Sequence, residues 1–333
     1  MGRSSTTIGK NRGLVPACLL AVIAMLGACR PLTADTVDSA HLVPNPGADA
    51  VIASADIRIT PAARIDDLAY GPVETQRLDL LLPAGPGPHP VIIYLHGGGW
   101  SGGTRTDLSP DAAAMVDRGW AVATVDYALA PAQTWPYPLY DAKRAVRWLR
   151  ANANRFGLDP DMVIAWGSSA GGHLALMLGA TGDEPRFTPY ALPGDLAERS
   201  DRVQGVVALA APVDFQLFAD TDTPFYGAVA EALGCATAPR SQRCANRADY
   251  EPADLTRVVT GSAAPVYAAY GLADTLVVPE HAHRLERAYS QAGRGDALWL
   301  DLVDNHDHNV AVAGLNVRAE AAFVAAVRSG QIR

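Results

Sequence analysis

Trp166-Gly167-Ser168-Ser169-Ala170-Gly171-Gly172 decides the reading of this chain. The run before it, Met162 to Trp166, is short, apolar and partly β-branched, the composition of a buried strand. The run after it, Ala170 to Ala180, is small and mostly apolar without proline, as a buried helix can be. Between them, Gly-x-Ser-x-Gly predicts a sharp strand-to-helix turn with Ser169 at its apex. The glycines have a steric reason: a serine held at a tight elbow leaves no room for β-carbons two residues to either side. The helix that follows aims its free N-terminal amides at any negative charge that develops beside the serine.

Upstream, Val91 to Leu95 is a continuous apolar run, consistent with a strand buried on both faces. It ends in His96-Gly97-Gly98-Gly99-Trp100. Three consecutive glycines are costly in backbone entropy. Their use here is to turn backbone N–H groups into an open space where an oxyanion can sit. Further strands are expected at Ile57–Thr60, Gln76–Leu82 and Trp120–Val125, and helices at Asp111–Arg118 and from Pro138 to Phe156. The last has an apolar stripe of Ala142, Ala145, Val146 and Leu149, with Lys143, Arg144 and Arg147 on the face expected to be exposed. Downstream come strands at Val203–Ala210, Pro265–Tyr270 and Ala297–Val303, and helices at Glu280–Ala292 and Asn316–Arg328. Residues 182–202 read as a polar surface excursion. Residues 213–262 read as helical insertions and loops over the carboxyl edge of the sheet. Alternating strands and helices after a hairpin-like start predict a mostly parallel, twisted sheet with helices on both faces and chemistry at the strand carboxyl ends.

The N-terminus belongs to a different regime. Arg3, Lys10 and Arg12 precede an apolar run from Leu14 to Leu26, too short to span a bilayer comfortably. Leu26-Gly27-Ala28-Cys29 resembles a bacterial lipobox, which implies a signal peptide of residues 1–28 and lipid on Cys29. Ordinary cleavage near Ala28 or Ala34 followed by secretion is the alternative. Arg30 in place of an aspartate favours an outer-membrane anchor over inner-membrane retention, on the periplasmic side or beyond. Residues 29–54 read as a flexible tether and 55–333 as the folded domain. Of 333 residues, 49% are hydrophobic, enough for a sizeable core. The leader holds three of the 27 basic and none of the 35 acidic residues, so its removal takes the formal charge from −8 to −11. With no basic stripe, a nucleic-acid partner is disfavoured. In an oxidising compartment Cys235 and Cys244, close together in a polar loop, are expected to pair. Nothing nearby completes a metal site.

A serine that transfers an acyl group needs a base, a group to orient the base, and donors for the oxyanion. The loop Asp304-Asn305-His306-Asp307-His308-Asn309 offers two histidines. Gly271-Leu272-Ala273-Asp274 places an acid just past a strand. The chain order is then Ser, Asp, His. This combination resembles the α/β-hydrolases, and within them the His-Gly-Gly-Gly carboxylesterases of hormone-sensitive-lipase and bacterial feruloyl-esterase-like type, over about residues 65–330.

The resemblance implies an α/β-hydrolase fold with a small helical insertion over the active site, and no metal or cofactor. It implies Ser169 as nucleophile, Asp274 as orienting acid and His308 as base, Asp307-His308 fitting the family better than Asn305-His306. The amides of Gly98, Gly99 and Ala170 would form the oxyanion hole, with Gly97 as the alternative donor. His96 would brace the glycine loop and His173 would be a core residue. His281 and His283 would sit on a surface helix. The implied activity is hydrolysis of short-chain or aryl esters of small molecules. An arylformamidase-like amide hydrolase and an inactive binding protein are the alternatives. Trp100, Trp135, Tyr137 and Tyr226 are candidates to line an acyl pocket. Two departures leave the ester unassigned: Ala128 and Ala132 replace the Arg and Glu of Tyr-Arg-Leu-Ala-Pro-Glu, and Ser168 replaces the Asp that often precedes the nucleophile.

Overall fold

The computed structural model describes residues 62–188, 192, 194–220, 225–235, 244, 250–311 and 316–333. The leader, Cys29, the tether and the expected strand Ile57–Thr60 lie outside the described residues. Eight strands form one sheet: β1 Ala63–Ala69, β2 Arg77–Leu82, β3 His89–Leu95, β4 Ala121–Val125, β5 Leu158–Ser168, β6 Gly205–Leu209, β7 Val266–Gly271 and β8 Leu298–Val303. Their order is β1-β2-β4-β3-β5-β6-β7-β8. The first two pairings are antiparallel and the other five parallel. This is the α/β-hydrolase architecture expected from the sequence.

The period of two along a strand sends side chains alternately into two cores. In β3, Val91, Ile93 and Leu95 enter one, beneath the helices Tyr137–Ala151, Ala170–Ala180 and Glu280–Gln291. Ile92 and Tyr94 enter the other, beneath Val317–Arg328. That is why the central strands read as unbroken apolar runs. β3 hands the chain to β4 on one side, and β5 lies on the other. The loops leaving β3 and β5 therefore diverge and open a crevice at their carboxyl ends, the place where such sheets hold ligands.

Several expectations need correction. The Asp111–Arg118 segment is a short helix, Pro110–Ala113, followed by a 3-10 turn, Val116–Arg118; Gly119 ends it with φ 85°. The long helix stops at Ala151 and a separate turn covers Ala153–Phe156. Its charged face is not exposed: Lys143, Arg144 and Arg147 are buried. Residues 194–202, largely exposed as the surface reading has it, supply the cover through Leu196 and Asp201 on their inner side. Asp201, fully buried, accepts Lys143 Nζ on Oδ1 at 2.8 Å and Arg147 Nη2 on Oδ2 at 2.7 Å. His281 is also fully buried, on the inner side of Glu280–Gln291, where its Nδ1 accepts the Val213 amide at 3.1 Å. Burial there pushes its imidazole down to about 3.

On the Val317–Arg328 side of the sheet, Asp111 and Glu320 are buried acids. Among the described residues no hydrogen bond reaches Asp111 Oδ1 or either oxygen of Glu320. Burial pushes the Asp111 carboxyl up to about 6. Glu320 is pushed well above the ordinary range, first by burial and then by the charges of Asp111 and Asp301. A raised folded-state pKa gives stability that is complete below the unfolded value, about 4, and is lost as pH rises through the folded value. Relative to wild type, Glu320→Gln is therefore expected to gain stability steadily as pH climbs from 4.5 to 8, by a mechanism confined to this pair. Urea unfolding across that range reads the slope; a difference that does not vary with pH would contradict it.

Candidate active site

The elbow is built as its glycines suggest. A β-carbon at Gly167 would strike the Gly171 carbonyl, and one at Gly171 would strike the carbonyls of Leu95 and His96. The helix Ala170–Ala180 can thus press directly against the end of β3. It is apolar all round and buried over nearly its whole length. Ser169 takes φ 53° and ψ −121°, a region that costs a non-glycine residue roughly 1–3 kcal/mol. Its amide is held by the Leu209 carbonyl at 2.8 Å. The strained residue is the one whose side chain must stand clear of the sheet.

The other two members arrive from β7 and from the loop after β8. Asp274 is buried. Its Oδ1 accepts the amides of Leu276 at 2.8 Å and Val277 at 3.0 Å, which leaves Oδ2 for the His308 ring. His308 Nδ1 lies 2.7 Å from Asp274 Oδ2, and its Nε2 lies 3.0 Å from Ser169 Oγ. With the proton on Nδ1, the Ser169 hydroxyl donates to Nε2. A β-carbon at Gly271 would collide with the His306 and Asp307 carbonyls, so this glycine admits the histidine loop. His306 turns away, its Nδ1 2.8 Å from the Asp304 carbonyl. Asp307 accepts the Asn309 amide at 2.9 Å and so shapes the loop instead of orienting a base.

The glycine loop faces this serine. A β-carbon on Gly97 would sit 3.5 Å from Ser169 Cβ. Gly98 and Gly99 have φ of 112° and 60°, and the Gly98 carbonyl is tied back by the amides of Ser101 and Gly102. Among the described residues no acceptor meets the amides of Gly98, Gly99 or Ala170. The Gly97 amide likewise meets no acceptor among the described residues. His96 braces the loop: it is buried, its Nδ1 lies 2.7 Å from the Gly97 carbonyl, and its ring stacks on Tyr127 at 4.3 Å. The Tyr127 hydroxyl donates to the His96 carbonyl at 2.6 Å. His173 is a core residue whose Nε2 meets the Ala253 carbonyl at 2.8 Å; burial pushes its imidazole down to about 4.

Ser169, His308 and Gly97–Gly99 open into one cleft of about 500 Å³. Phe225, Ala228 and Leu276 form its apolar wall, and Tyr94, Asp107, Ser168 and Asn309 add polar groups. The aromatic candidates named from sequence do not line it. Trp100 and Trp135 close a separate apolar recess behind the glycine loop, and Tyr137 is exposed. Phe225 lines the cleft in their place. It stands against Gly99 from the residues just before the short helix Tyr226–Ala232, where no periodicity signals it. Cys235, which follows that helix, is joined to Cys244, as the sequence predicts.

The BD-FAE family model matches residues 78–289, which hold the glycine loop, the elbow and Asp274. The probable carboxylic ester hydrolase LipM of Mycobacterium tuberculosis is 29% identical over 217 residues, 65% of this chain and 48% of that protein. Esterase LipC of the same organism is 29% identical over 241 residues, 70% of this chain and 57% of that protein. The chain thus spans about half the length of these relatives. Among solved structures, a truncated carbohydrate esterase from gut microbiota superposes with a TM-score of 0.69 at 21% identity, covering 82% of this chain and 98% of that one. Thermogutta terrifontis esterase 2 phosphorylated by paraoxon gives 0.62 at 20% identity, covering 80% and 95%. At these identities the superpositions speak for the fold.

Proposed function

Because the chain belongs to the BD-FAE family, we propose that it is a serine carboxylic-ester hydrolase acting on short-chain or aryl esters through an acyl-enzyme. The observation that carries this is the continuous line from Asp274 through His308 to Ser169, ending beside unpaired backbone amides. His308 Nε2 takes the proton as Ser169 Oγ attacks the ester carbonyl. The oxyanion is met by the amides of Ala170 and of two residues among Gly97–Gly99. His308 then returns the proton to the departing alkoxide, and water repeats the sequence on the acyl-enzyme. Phe225 and Ala228 pack against Gly99 and favour short acyl groups. The leader motif supports export with lipid on Cys29 and an outer-membrane anchor, and the Cys235–Cys244 bridge suits an oxidising compartment.

Mass spectrometry tests this reading. Treated with paraoxon, the protein should release p-nitrophenol and carry one diethylphosphoryl group on the Ser169 peptide. It should also hydrolyse p-nitrophenyl acetate and butyrate faster than the octanoate. Made with its leader, its N-terminal peptide should begin at a lipid-bearing Cys29. A folded protein that is neither labelled nor active on any ester would refute the hydrolase reading; a free N-terminus elsewhere would refute only the anchor.

A further inference from the structure

Among the described residues that line the cleft, one carries a charge that the acyl-transfer chemistry does not use. Asp107 lines the same 500 Å³ space as Ser169 and His308, on the loop that follows Gly97–Gly99. Among the described residues no Lys or Arg lines that space. Among the described residues no cation stands within ion-pair distance of Asp107. Its neighbour in sequence, Arg105, is committed elsewhere: Nε meets Asp79 Oδ1 at 2.8 Å, Nη1 meets Asp126 Oδ2, and Nη2 meets Asp67 Oδ1 at 3.2 Å. Those bonds pin the loop to the sheet. Asp107 Oδ2 accepts the Thr104 amide at 2.8 Å, and the Asp107 amide returns a bond to the Thr104 carbonyl at 2.9 Å. The carboxylate is thus held by the loop, exposed, and among the described residues no hydrogen bond reaches its other oxygen.

Its field extends toward the reacting end of the cleft. Tyr94, which also lines the cleft, has its phenol pushed up by burial, and the Asp107 charge adds to that shift. His96, under the glycine loop, is pushed down by burial, and Asp107 acts on it in the opposite sense. Asp107 is exposed, so its charge sits at the solvent-facing part of the cleft, where it acts, screened by water, on any charge that a substrate brings there. We propose that Asp107 is the residue that sets the charge preference of this site, admitting neutral and cationic esters and rejecting anionic ones. This rests on the ester-hydrolase reading above.

The test compares kcat/KM for pairs of esters of matched shape. Acetylcholine against 3,3-dimethylbutyl acetate places the charge on the alcohol side; mono-p-nitrophenyl succinate against p-nitrophenyl butyrate places it on the acyl side. An exposed unit charge several ångströms away, screened by water, changes such a ratio by about two- to fivefold. Asp107→Asn keeps the shape and the Thr104 bond. It is expected to relax the bias against the anion, or toward the cation, by that factor in at least one pair, and Asp107→Lys should reverse it. Glu286→Gln, which removes an exposed charge on the helix Glu280–Gln291, should leave both ratios where they were. High salt should narrow the gap between wild type and Asp107→Asn by screening. Active variants whose ratios match wild type in both pairs would overturn the assignment of Asp107 and leave the hydrolase reading intact. A wild type inert on all four esters would remove the hydrolase reading, and this proposal with it.

Discussion

Ser169→Ala and His308→Ala are each expected to lower kcat on p-nitrophenyl butyrate at least a thousandfold, about 4 kcal/mol in the barrier. The double variant should be little worse than either, because the two groups act as one unit. Asp274→Asn should also fall by orders of magnitude, for a reason visible in the local bonding. The amides of Leu276 and Val277 both donate to Oδ1. In the asparagine variant the carbonyl oxygen must stay there, and the amide NH₂ turns toward His308 Nδ1. The imidazole then places its proton on Nε2, where it can no longer accept from Ser169. His306→Ala is the control, since that side chain faces the Asp304 carbonyl. It should retain activity within a few-fold. Steady-state rates on purified, folded variants decide this. An inert His306→Ala beside an active His308→Ala would exchange the two assignments.

What the sequence disclosed follows from how each part is stabilised. The central strands lie between two cores, so their apolar runs are continuous and their positions were readable to within a few residues. β1 was not. Ala63–Ala69 is an edge strand carrying Arg64, Asp66 and Asp67, largely exposed, and an edge is kept from pairing with other chains by such charges. A strand of that kind leaves no apolar signature. The elbow and the glycine loop were legible because backbone geometry demanded glycine, a demand written directly in residue type. The cleft walls were not, because Phe225, Asp107 and Leu276 come from loops and the edge of a short helix, and only tertiary contact brings them to Ser169. The buried charges were misread for a related reason. Amphipathicity in Tyr137–Ala151 shows that one face is polar, and not that another segment roofs it.

That roof yields the second large effect, on stability. Asp201→Asn is expected to cost about 3–5 kcal/mol, the usual loss when one member of a buried ion cluster is removed and its partners stay behind. Asp201 is the hub. Its Oδ1 accepts Lys143 Nζ and the Asp183 amide, each at 2.8 Å, and its Oδ2 accepts Arg147 Nε at 2.9 Å and Nη2 at 2.7 Å. Burial pushes the Lys143 ammonium down from its ordinary value, and the charge of Asp201 opposes that shift. Neutralising the aspartate would leave the buried Lys143 and Arg147 cations without their shared carboxylate, with only Asp183 among the described residues, 3.9 Å from Arg147 Nη2, nearby. Lys143→Met should cost far less, because Arg147 and the Asp183 amide still satisfy Asp201 and the desolvation of one cation is removed. Lys143 also donates to the Thr181 carbonyl at 2.5 Å, at the carboxyl end of the helix that begins beside Ser169. The cluster therefore anchors the far end of the helix that begins at Ser169. Thermal unfolding of the two variants should separate them, with Asp201→Asn lowering Tm by roughly 10 °C for a domain of this size. Below its transition, the folded Asp201→Asn protein should still react with paraoxon, because no atom of the cluster reaches the cleft. Equal losses in the two variants would mean that the aspartate is one contact among several and not the hub.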